Sequence, residues 1–198
     1  MGRKRKVTLH LLLILAVFYC FNFDNSLGAS IQMKPLISEN SKIVQKDKKI
    51  LMIDWVINNS ECSTITAKEI VEAVLETSNP LLLLSIMKKE SEFKPKAISS
   101  SSCIGLGQIS PIHIKELKEE NIINSRKDLT RIKNNIKSMD FILQQKLERA
   151  NNNVRKALLY YVGDTSRKDY VNSVMKNYSS LHGYVSKGTH GKSKKSKK

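Results

Sequence analysis

The chain has 198 residues and a formal net charge of +16, from 34 lysines and arginines against 18 aspartates and glutamates. This length suits one domain of ordinary size, and the charge favours an anionic partner such as a nucleic acid, a cell surface or a polymer. The sequence has neither the spacings typical of metal ligands nor a glycine-rich phosphate loop. We therefore predict no metal and no other cofactor.

The N-terminus has the layout of a secretory signal. A basic head at 3–6 precedes an apolar run from about Leu9 to Phe23, and small residues suited to cleavage follow at 26–30. A spanning helix needs roughly 20 apolar residues, so this run favours a cleaved signal over an uncleaved anchor. We predict that residues 1–29 are a signal peptide or anchor, and that the chain is exported to the periplasm, the cell wall or the medium. Export also argues against nucleic acid as a partner.

The residues after this segment predict helices in succession. Residues 30–63 read as a linker and a first helix, and a helical domain follows at 64–182. Apolar residues at helical spacing predict helices over 41–59, 66–77, 80–93, 128–150, 153–164 and 166–181. In 128–150 the predicted apolar stripe is Ile132, Ile136, Met139, Leu143 and Leu147. Thr66 and Glu69 have the spacing of a capping box, and Pro80 suits the first turn of a helix. Because no alternating run is long enough for a sheet, the predicted fold class is all-α.

A basic tail closes the chain. Six lysines lie in residues 187–198 and no apolar residue follows Val185, so we predict disorder over 183–198. The tail either keeps the chain soluble or adheres to an anionic envelope surface. Two cysteines, Cys62 and Cys103, remain after the signal. An exported chain can pair an even number of cysteines, so we expect a disulfide between them, although their spacing does not require it.

Glu90 is an acidic residue on the apolar face of a predicted helix. Residues at i, i+3, i+4 and i+7 share that face: Leu83, Ile86, Met87 and Glu90. Burial and the negative end of the helix both disfavour the charged carboxylate, which raises the pKa and suits a general acid. Glu92 points elsewhere. The alternative is a carboxylate that reaches out to pair with a lysine: Lys88, Lys94 or Lys96.

The stretch ESEFKPKAISSSSCIGLGQISP, from Glu90 to Pro111, resembles the signature of soluble lytic transglycosylase domains in the lysozyme-like superfamily. That signature has Glu-Ser, a Phe, a Pro, an Ala, a Ser, then Gly-Ala-x-Gly-Leu-Met-Gln and a Pro. The matching residues are Glu90, Ser91, Phe93, Pro95, Ala97, Ser99, Gly105, Leu106, Gln108 and Pro111. Ser102 and Cys103 replace the usual Gly-Ala, and Gly107 replaces Met.

Three later blocks of the same family follow in order. DLTRIKNNI resembles the segment that leads to Asn-Ile, here Asn135 and Ile136. ALLYYVG resembles Ala-Leu-x-x-Tyr-Asn-x-Gly, with Tyr160 assigned as the Tyr, Tyr161 in the place of Asn and Gly163 as the Gly. YVNSV resembles the closing Tyr-Val-x-x-Val, beginning at Tyr170. The resemblance covers about 80–180 and implies a lysozyme-like catalytic domain within 64–182.

The resemblance implies a lyase that cleaves the β-1,4 bond between N-acetylmuramic acid and N-acetylglucosamine in peptidoglycan. Glu90 would protonate the bridging oxygen and then take the proton of the C6 hydroxyl, leaving a 1,6-anhydromuramyl end. The residues expected to bind the glycan strand are Gln108, Tyr160, Tyr170, Ser99 and Gly105, with packing and loop hydrogen bonds as their alternative role. The enzyme is expected to act as a monomer.

Two alternatives stay open. A muramidase of the same fold would hydrolyse the same bond and would usually need a second carboxylate, for which Asp164 and Asp169 are the candidates. A catalytically impaired protein that binds or assembles peptidoglycan would account for Tyr161 in the place of Asn and for the changes around Cys103.

Overall fold

Seven α-helices and two 3-10 turns make up the part of the chain described by this computed structural model, the backbone of residues 36–193 and the side chains of residues 45–188. The helices are α1 (Leu36–Asn58), α2 (Thr64–Val74), α3 (Pro80–Glu90), α4 (Ile114–Glu119), α5 (Ile132–Arg149), α6 (Val154–Val162) and α7 (Lys168–Ser193). The 3-10 turns are Pro111–His113 and Arg126–Thr130. Within these residues, sheet-like pairing is limited to isolated bridges at Ile98–Ile104 and Ile104–Ile109. The predicted all-α class is confirmed.

Helix α3 runs through the centre of the core. It begins at Pro80, whose fixed φ suits a first helical turn. Its buried side chains surround the helix axis: Leu82, Leu83, Leu84, Ser85, Ile86 and Met87. Such a helix must be covered on all sides, and α7, α2 and α5 pack against it. Its last residue, Glu90, therefore lies where the core meets the surface.

Helix α5 presents a single apolar stripe to the core. The five predicted stripe residues are all buried: Ile132, Ile136, Met139, Leu143 and Leu147. The next helix, α6, ends at Gly163, which has a φ of +76° as expected for a left-handed C-terminal residue. These two helices pack on each other, and α6 also packs against α7.

The first two helices begin earlier than predicted. Helix α1 starts at Leu36, inside the predicted linker. Helix α2 starts at Thr64, because Ser63 caps it by accepting a hydrogen bond from the Thr66 N–H at 3.2 Å. The capping box predicted for Thr66 and Glu69 is therefore wrong. None of the helices in the described part of the chain is long and apolar enough to cross a membrane.

Helix α7 continues to Ser193, so the prediction of disorder from residue 183 is wrong for residues 183–193. Val185 is buried one turn after the buried Leu181. Further along, Gly188 lies against α1, since a Cβ placed on it would be 2.6 Å from Leu51 Cδ2. These contacts hold the helix beyond its last predicted turn. Residues 194–198 and the predicted signal segment 1–29 lie outside the described residues.

Both described cysteines are free thiols, so the predicted disulfide between Cys62 and Cys103 is wrong. Cys62 lies between α1 and α2, where Ser60 Oγ donates a hydrogen bond to its Sγ at 3.1 Å. Cys103 lies in the loop after Glu90 and near Tyr161 of α6. The two thiols therefore have different surroundings.

Candidate active site

Glu90 ends α3 because the chain turns sharply after it. Glu92 and Phe93 have positive φ angles of +50° and +63°, a conformation that costs about 1–2 kcal/mol in residues other than glycine. The burial of Phe93 offsets this cost, since its ring is fully buried and packs edge-to-face on Trp55 with the centroids 6.1 Å apart. The turn leaves the Glu90 side chain half-buried at the helix end.

The lysines near Glu90 do not pair with it. Lys88 Nζ donates a hydrogen bond to the Asn59 carbonyl and lies 3.9 Å from Glu92 Oε1. Lys94 Nζ lies 3.9 Å from Glu92 Oε2. Among the described residues, Glu90 has no ion-pair partner within 4.0 Å. The exposed Glu92 therefore attracts the surface lysines, and Glu90 remains without a countercharge in contact.

Tyr170 of α7 contacts Glu90 directly. Its hydroxyl donates a hydrogen bond to Glu90 Oε1 at 2.6 Å, and its side chain is only 2% exposed. Burial, and then the charge of Glu90, raise the pKa of Tyr170 far above its ordinary value. The phenol therefore stays protonated and serves as a permanent hydrogen-bond donor.

The pKa of Glu90 is raised above that of an ordinary carboxyl group. Burial is the largest cause, and it outweighs the hydrogen bond from Tyr170 and the positive charges of Lys89 and Arg167, which all lower the pKa. The direction agrees with the prediction from the helix face. A raised pKa increases the fraction of Glu90 that carries a proton near neutral pH, as a general acid requires.

The structure brings Tyr161 close to Glu90 and directs Tyr160 elsewhere. The Tyr161 hydroxyl donates a hydrogen bond to the Gly107 carbonyl at 3.1 Å. Burial and then the charge of Glu90 raise the pKa of Tyr161 well above its ordinary value. The Tyr160 ring instead packs under Arg149, whose Cζ lies 4.5 Å from the ring centroid, and near Lys156. Tyr160 therefore belongs to a surface contact between α5 and α6.

The position of Tyr161 also corrects the alignment of the third family block. Counted from Ala157 in the pattern Ala-Leu-x-x-Tyr-Asn-x-Gly, the Tyr falls on Tyr161, the Asn on Val162 and the Gly on Asp164. The assignment of Tyr160 was one residue too early. The sequence signal for Tyr161 was present in this spacing, and the adjacent tyrosine obscured it.

A buried asparagine, Asn135 of α5, holds the loop that follows Glu90. It is 1% exposed. Its Nδ2 donates to the carbonyls of Ile104 (3.0 Å) and Leu129 (2.7 Å), and its Oδ1 accepts from the Gly107 N–H (2.9 Å). All these groups are backbone atoms, so Asn135 fixes the path of the loop whatever side chains the loop carries. The sequence matched Asn135 to the family's Asn-Ile but did not predict this role.

Three of the predicted substrate-binding residues form hydrogen bonds within that loop. The Gly105 N–H donates to the Ala97 carbonyl at 2.8 Å. Ser99 Oγ accepts from the Cys103 N–H at 3.1 Å. Gln108 Nε2 donates to the Gly105 carbonyl at 3.0 Å. For Ser99, Gly105 and Gln108, the observed contacts support the alternative role in packing and loop hydrogen bonds.

The two glycines of this loop are required by what lies against them. Gly105 has a φ of +79°, and a Cβ on it would be 2.1 Å from Asn135 Nδ2 and 2.5 Å from the Leu129 carbonyl oxygen. A Cβ on Gly107 would be 2.3 Å from Met139 Cγ. Gly107 stands where the family has Met, and Met139 of α5 occupies the space beside it.

The candidate second carboxylates do not lie beside Glu90. Asp164 accepts hydrogen bonds from the N–H and hydroxyl of Ser166, and Asp169 accepts from Arg167. These hydrogen bonds lower the pKa of both aspartates. Neither aspartate adds to the upward shift of the Glu90 pKa. In the described part of the chain, Glu90 is thus hydrogen-bonded to the phenol of Tyr170 and not to another acid.

A comparison with protein families matches residues 70–181 to the family described as Transglycosylase SLT domain. The matched region is more than half of the chain and contains Glu90, the loop after it, Asn135, Tyr161 and Tyr170. Comparisons with curated proteins and with solved structures each found no match. The family match confirms the resemblance seen in the sequence. With the observed helices, it also confirms the predicted lysozyme-like all-α fold.

Proposed function

Since the chain belongs to the transglycosylase SLT domain family, we propose that it is a lytic transglycosylase in which Glu90 is the single acid and base. Activity of the lytic transglycosylase type on peptidoglycan glycan strands, outside the cytoplasm, is the property of the family. The finer proposal is cleavage of the β-1,4 bond between N-acetylmuramic acid and N-acetylglucosamine. The observation that carries it is a half-buried carboxyl group with a raised pKa, bound by Tyr170 and lacking a neighbouring acid.

In the first step, protonated Glu90 gives its proton to the bridging oxygen as the bond from that oxygen to C1 of the muramic acid breaks. Tyr170 occupies Oε1, which leaves Oε2 to carry the transferred proton. Positive charge develops at C1 and its ring oxygen, and the acetamido group of the same sugar stabilises it. The N-acetylglucosamine side leaves with a new hydroxyl group.

In the second step, Glu90 acts as a base. The carboxylate now present accepts the hydrogen bond from Tyr170, which favours the charged form. It removes the proton from the C6 hydroxyl of the muramic acid, and the C6 oxygen attacks C1. The product is a 1,6-anhydro ring, Glu90 is protonated again and no water is consumed. One carboxyl group is sufficient for both steps, whereas hydrolysis usually needs two.

Tyr170 and Tyr161 are proposed as the residues that position this carboxyl group and the loop beside it. Tyr170 orients Glu90 through its hydroxyl. Tyr161 ties α6 to the Gly107 carbonyl and thereby fixes the loop that follows Glu90. Asn135 fixes the same loop from α5. Tyr160 has no part in this arrangement.

The replacement of Glu90 by Gln tests the proposal. Glu90→Gln keeps the size of the side chain and can still accept a hydrogen bond from Tyr170, but it has no proton to transfer. We expect a folded protein that binds sacculi and has lost activity by roughly 10²-fold or more. Glu92→Gln is the matched control, because Glu92 is exposed and contacts only surface lysines. Equal losses in the two variants, measured by release of soluble muropeptides, would refute the assignment.

A further inference from the structure

A groove between α1, α7 and the start of α3 combines lysines with an apolar floor. Lys46, Lys48 and Lys49 form its rim, and Met52, Leu81 and Val185 line its floor. No aspartate or glutamate is among the described residues that line it. The groove is therefore positively charged and partly apolar. It shares no residue with the site around Glu90.

Two of the three rim lysines are free to meet a partner. Lys49 Nζ is held by Glu72 Oε1 at 2.7 Å. Lys46 and Lys48 are exposed and form no ion pair with any residue that the structure describes. Two apolar side chains next to the rim are also exposed, Ile50 at 43% and Leu75 at 44%. Lysines and apolar side chains are thus exposed side by side at the rim of the groove.

The charge of the chain itself excludes several occupants. The N-terminal segment carries a basic head at 3–6, and the C-terminal residues carry six lysines in 187–198, so neither complements a lysine rim. A second copy of the chain brings a net charge of +16 and is repelled. The occupant must therefore be anionic.

The apolar part of the groove favours a lipid surface over a purely hydrophilic polymer. A polymer of phosphates would use the lysines and leave Ile50, Leu75 and the floor without a partner. At a bilayer, lysine stems and apolar side chains reach the acyl boundary while the ammonium groups contact phosphates.

We propose that this groove is a docking surface for an anionic phospholipid membrane. The N-terminal residues of α3, Pro80 and Leu81, line the groove, whereas Glu90 ends the same helix. Nine residues of helix separate Leu81 from Glu90 by about 14 Å. Docking through the groove therefore leaves the Glu90 end of α3 uncovered. This inference does not depend on the reaction proposed for Glu90.

Vesicle binding by the full chain tests the proposal. The double variant Lys46→Glu with Lys48→Glu is compared with the control Lys118→Glu with Lys127→Glu, which changes the net charge equally at exposed lysines outside the groove. Both variants keep residues 1–35 and the C-terminal lysines. On vesicles of phosphatidylglycerol mixed with phosphatidylcholine, we expect the groove variant to bind at least about tenfold more weakly than the control.

Several outcomes would overturn the proposal. Equal binding by the two variants would mean that only the overall charge matters. Equal binding of the natural chain to pure phosphatidylcholine would exclude recognition of anionic lipid. Binding to polyglutamate through Lys46 and Lys48, without binding to vesicles, would indicate an acidic protein partner. Circular dichroism serves to check that both variants fold. Glu90→Gln should still bind vesicles and the groove variant should still cleave soluble glycans, so that failure of either proposal is recognised separately.

Discussion

At the scale of single residues, the proposed chemistry depends on how Glu90 is surrounded. Burial favours its protonated form, and the hydroxyl of Tyr170 favours its charged form. The carboxyl group needs both forms in turn, first to give a proton and then to take one. Its two oxygens are also distinct, because Oε1 accepts from Tyr170 and Oε2 accepts no hydrogen bond from a described residue. These opposing effects on the pKa suit a single carboxyl group that acts first as an acid and then as a base.

Tyr170→Phe should change both the rate and its dependence on pH. The variant keeps the buried ring and removes the hydrogen bond that lowers the pKa of Glu90. The pKa of Glu90 then rises further, so the alkaline limb of kcat/KM, where Glu90 loses its proton, should move to higher pH. We expect the maximal rate to fall roughly tenfold, as for a hydrogen bond to a charged group.

Tyr160→Phe is the control for that experiment. Its ring packs under Arg149 through its face, a contact that phenylalanine preserves. Both the rate and the pH profile should stay as in the natural chain. A shift of the alkaline limb in Tyr160→Phe, or an unshifted limb in Tyr170→Phe, would contradict the roles given to the two tyrosines.

At the scale of elements, the loop from 97 to 109 contains no helix and is held by hydrogen bonds to its backbone. Asn135 binds the backbone of Ile104 and Gly107 in the loop, and also the Leu129 carbonyl beside it. Ser91 Oγ donates to the Leu106 carbonyl at 2.8 Å. The loop therefore depends on the side chain of Ser91, the residue after α3, and on that of Asn135 from α5. A substitution at the closest contact of the loop should therefore lower the free energy of unfolding and disturb the surroundings of Glu90.

Gly105→Ala should disrupt the close contact between Gly105 and Asn135. Gly163→Ala is the control that separates the effect of backbone strain from the effect of this contact. Both glycines have positive φ, so alanine strains the backbone at each by about 1–2 kcal/mol. At Gly105 the new Cβ also meets Asn135 Nδ2 and the Leu129 carbonyl, whereas at Gly163 nothing lies within 4 Å. We expect Gly105→Ala to lose at least about 3 kcal/mol of unfolding free energy. Similar losses in urea unfolding of the two variants would show that the close packing of Gly105 is unimportant.

At the scale of the whole molecule, α7 joins the end of the fold that carries Glu90 to α1. Tyr170 near its start contacts Glu90, and Val185 and Gly188 near its end pack in the core and against Leu51. The C-terminal residues thus contribute to the fold for longer than their composition suggested. Lysine, serine and glycine are typical of disordered tails, and a partner helix such as α1 cannot be seen from that composition.

Two truncations locate the end of the folded domain. Ending the chain after His182 removes the buried Val185, and we expect a loss of about 1.5–3 kcal/mol from that side chain alone. Ending it after Ser193 removes only four lysines and one serine, residues 194–198. This shorter deletion should leave the melting temperature unchanged. Equal melting temperatures for both truncations would show that residues 183–193 do not stabilise the fold, as the sequence had predicted.

The features that the sequence predicted well are those with strong local periodicity. The spacing of Leu83, Ile86 and Met87 located the face that carries Glu90, and the five apolar residues of α5 were all placed correctly. The features that it missed depend on contacts between elements. The phase of α6 decides whether Tyr160 or Tyr161 meets Glu90, and Asn135 lies 28 residues from the Gly107 N–H that it binds. Such pairings are set by packing and have no local signature.

The most direct test of the central claim is the mass of the products released from purified peptidoglycan sacculi. The natural chain should release muropeptides with 1,6-anhydromuramyl ends, because the C6 hydroxyl and not water attacks C1. Glu90→Gln should release almost none. Products one water heavier from the natural chain would show hydrolysis, and anhydro products in undiminished amount from Glu90→Gln would show that another residue performs the chemistry.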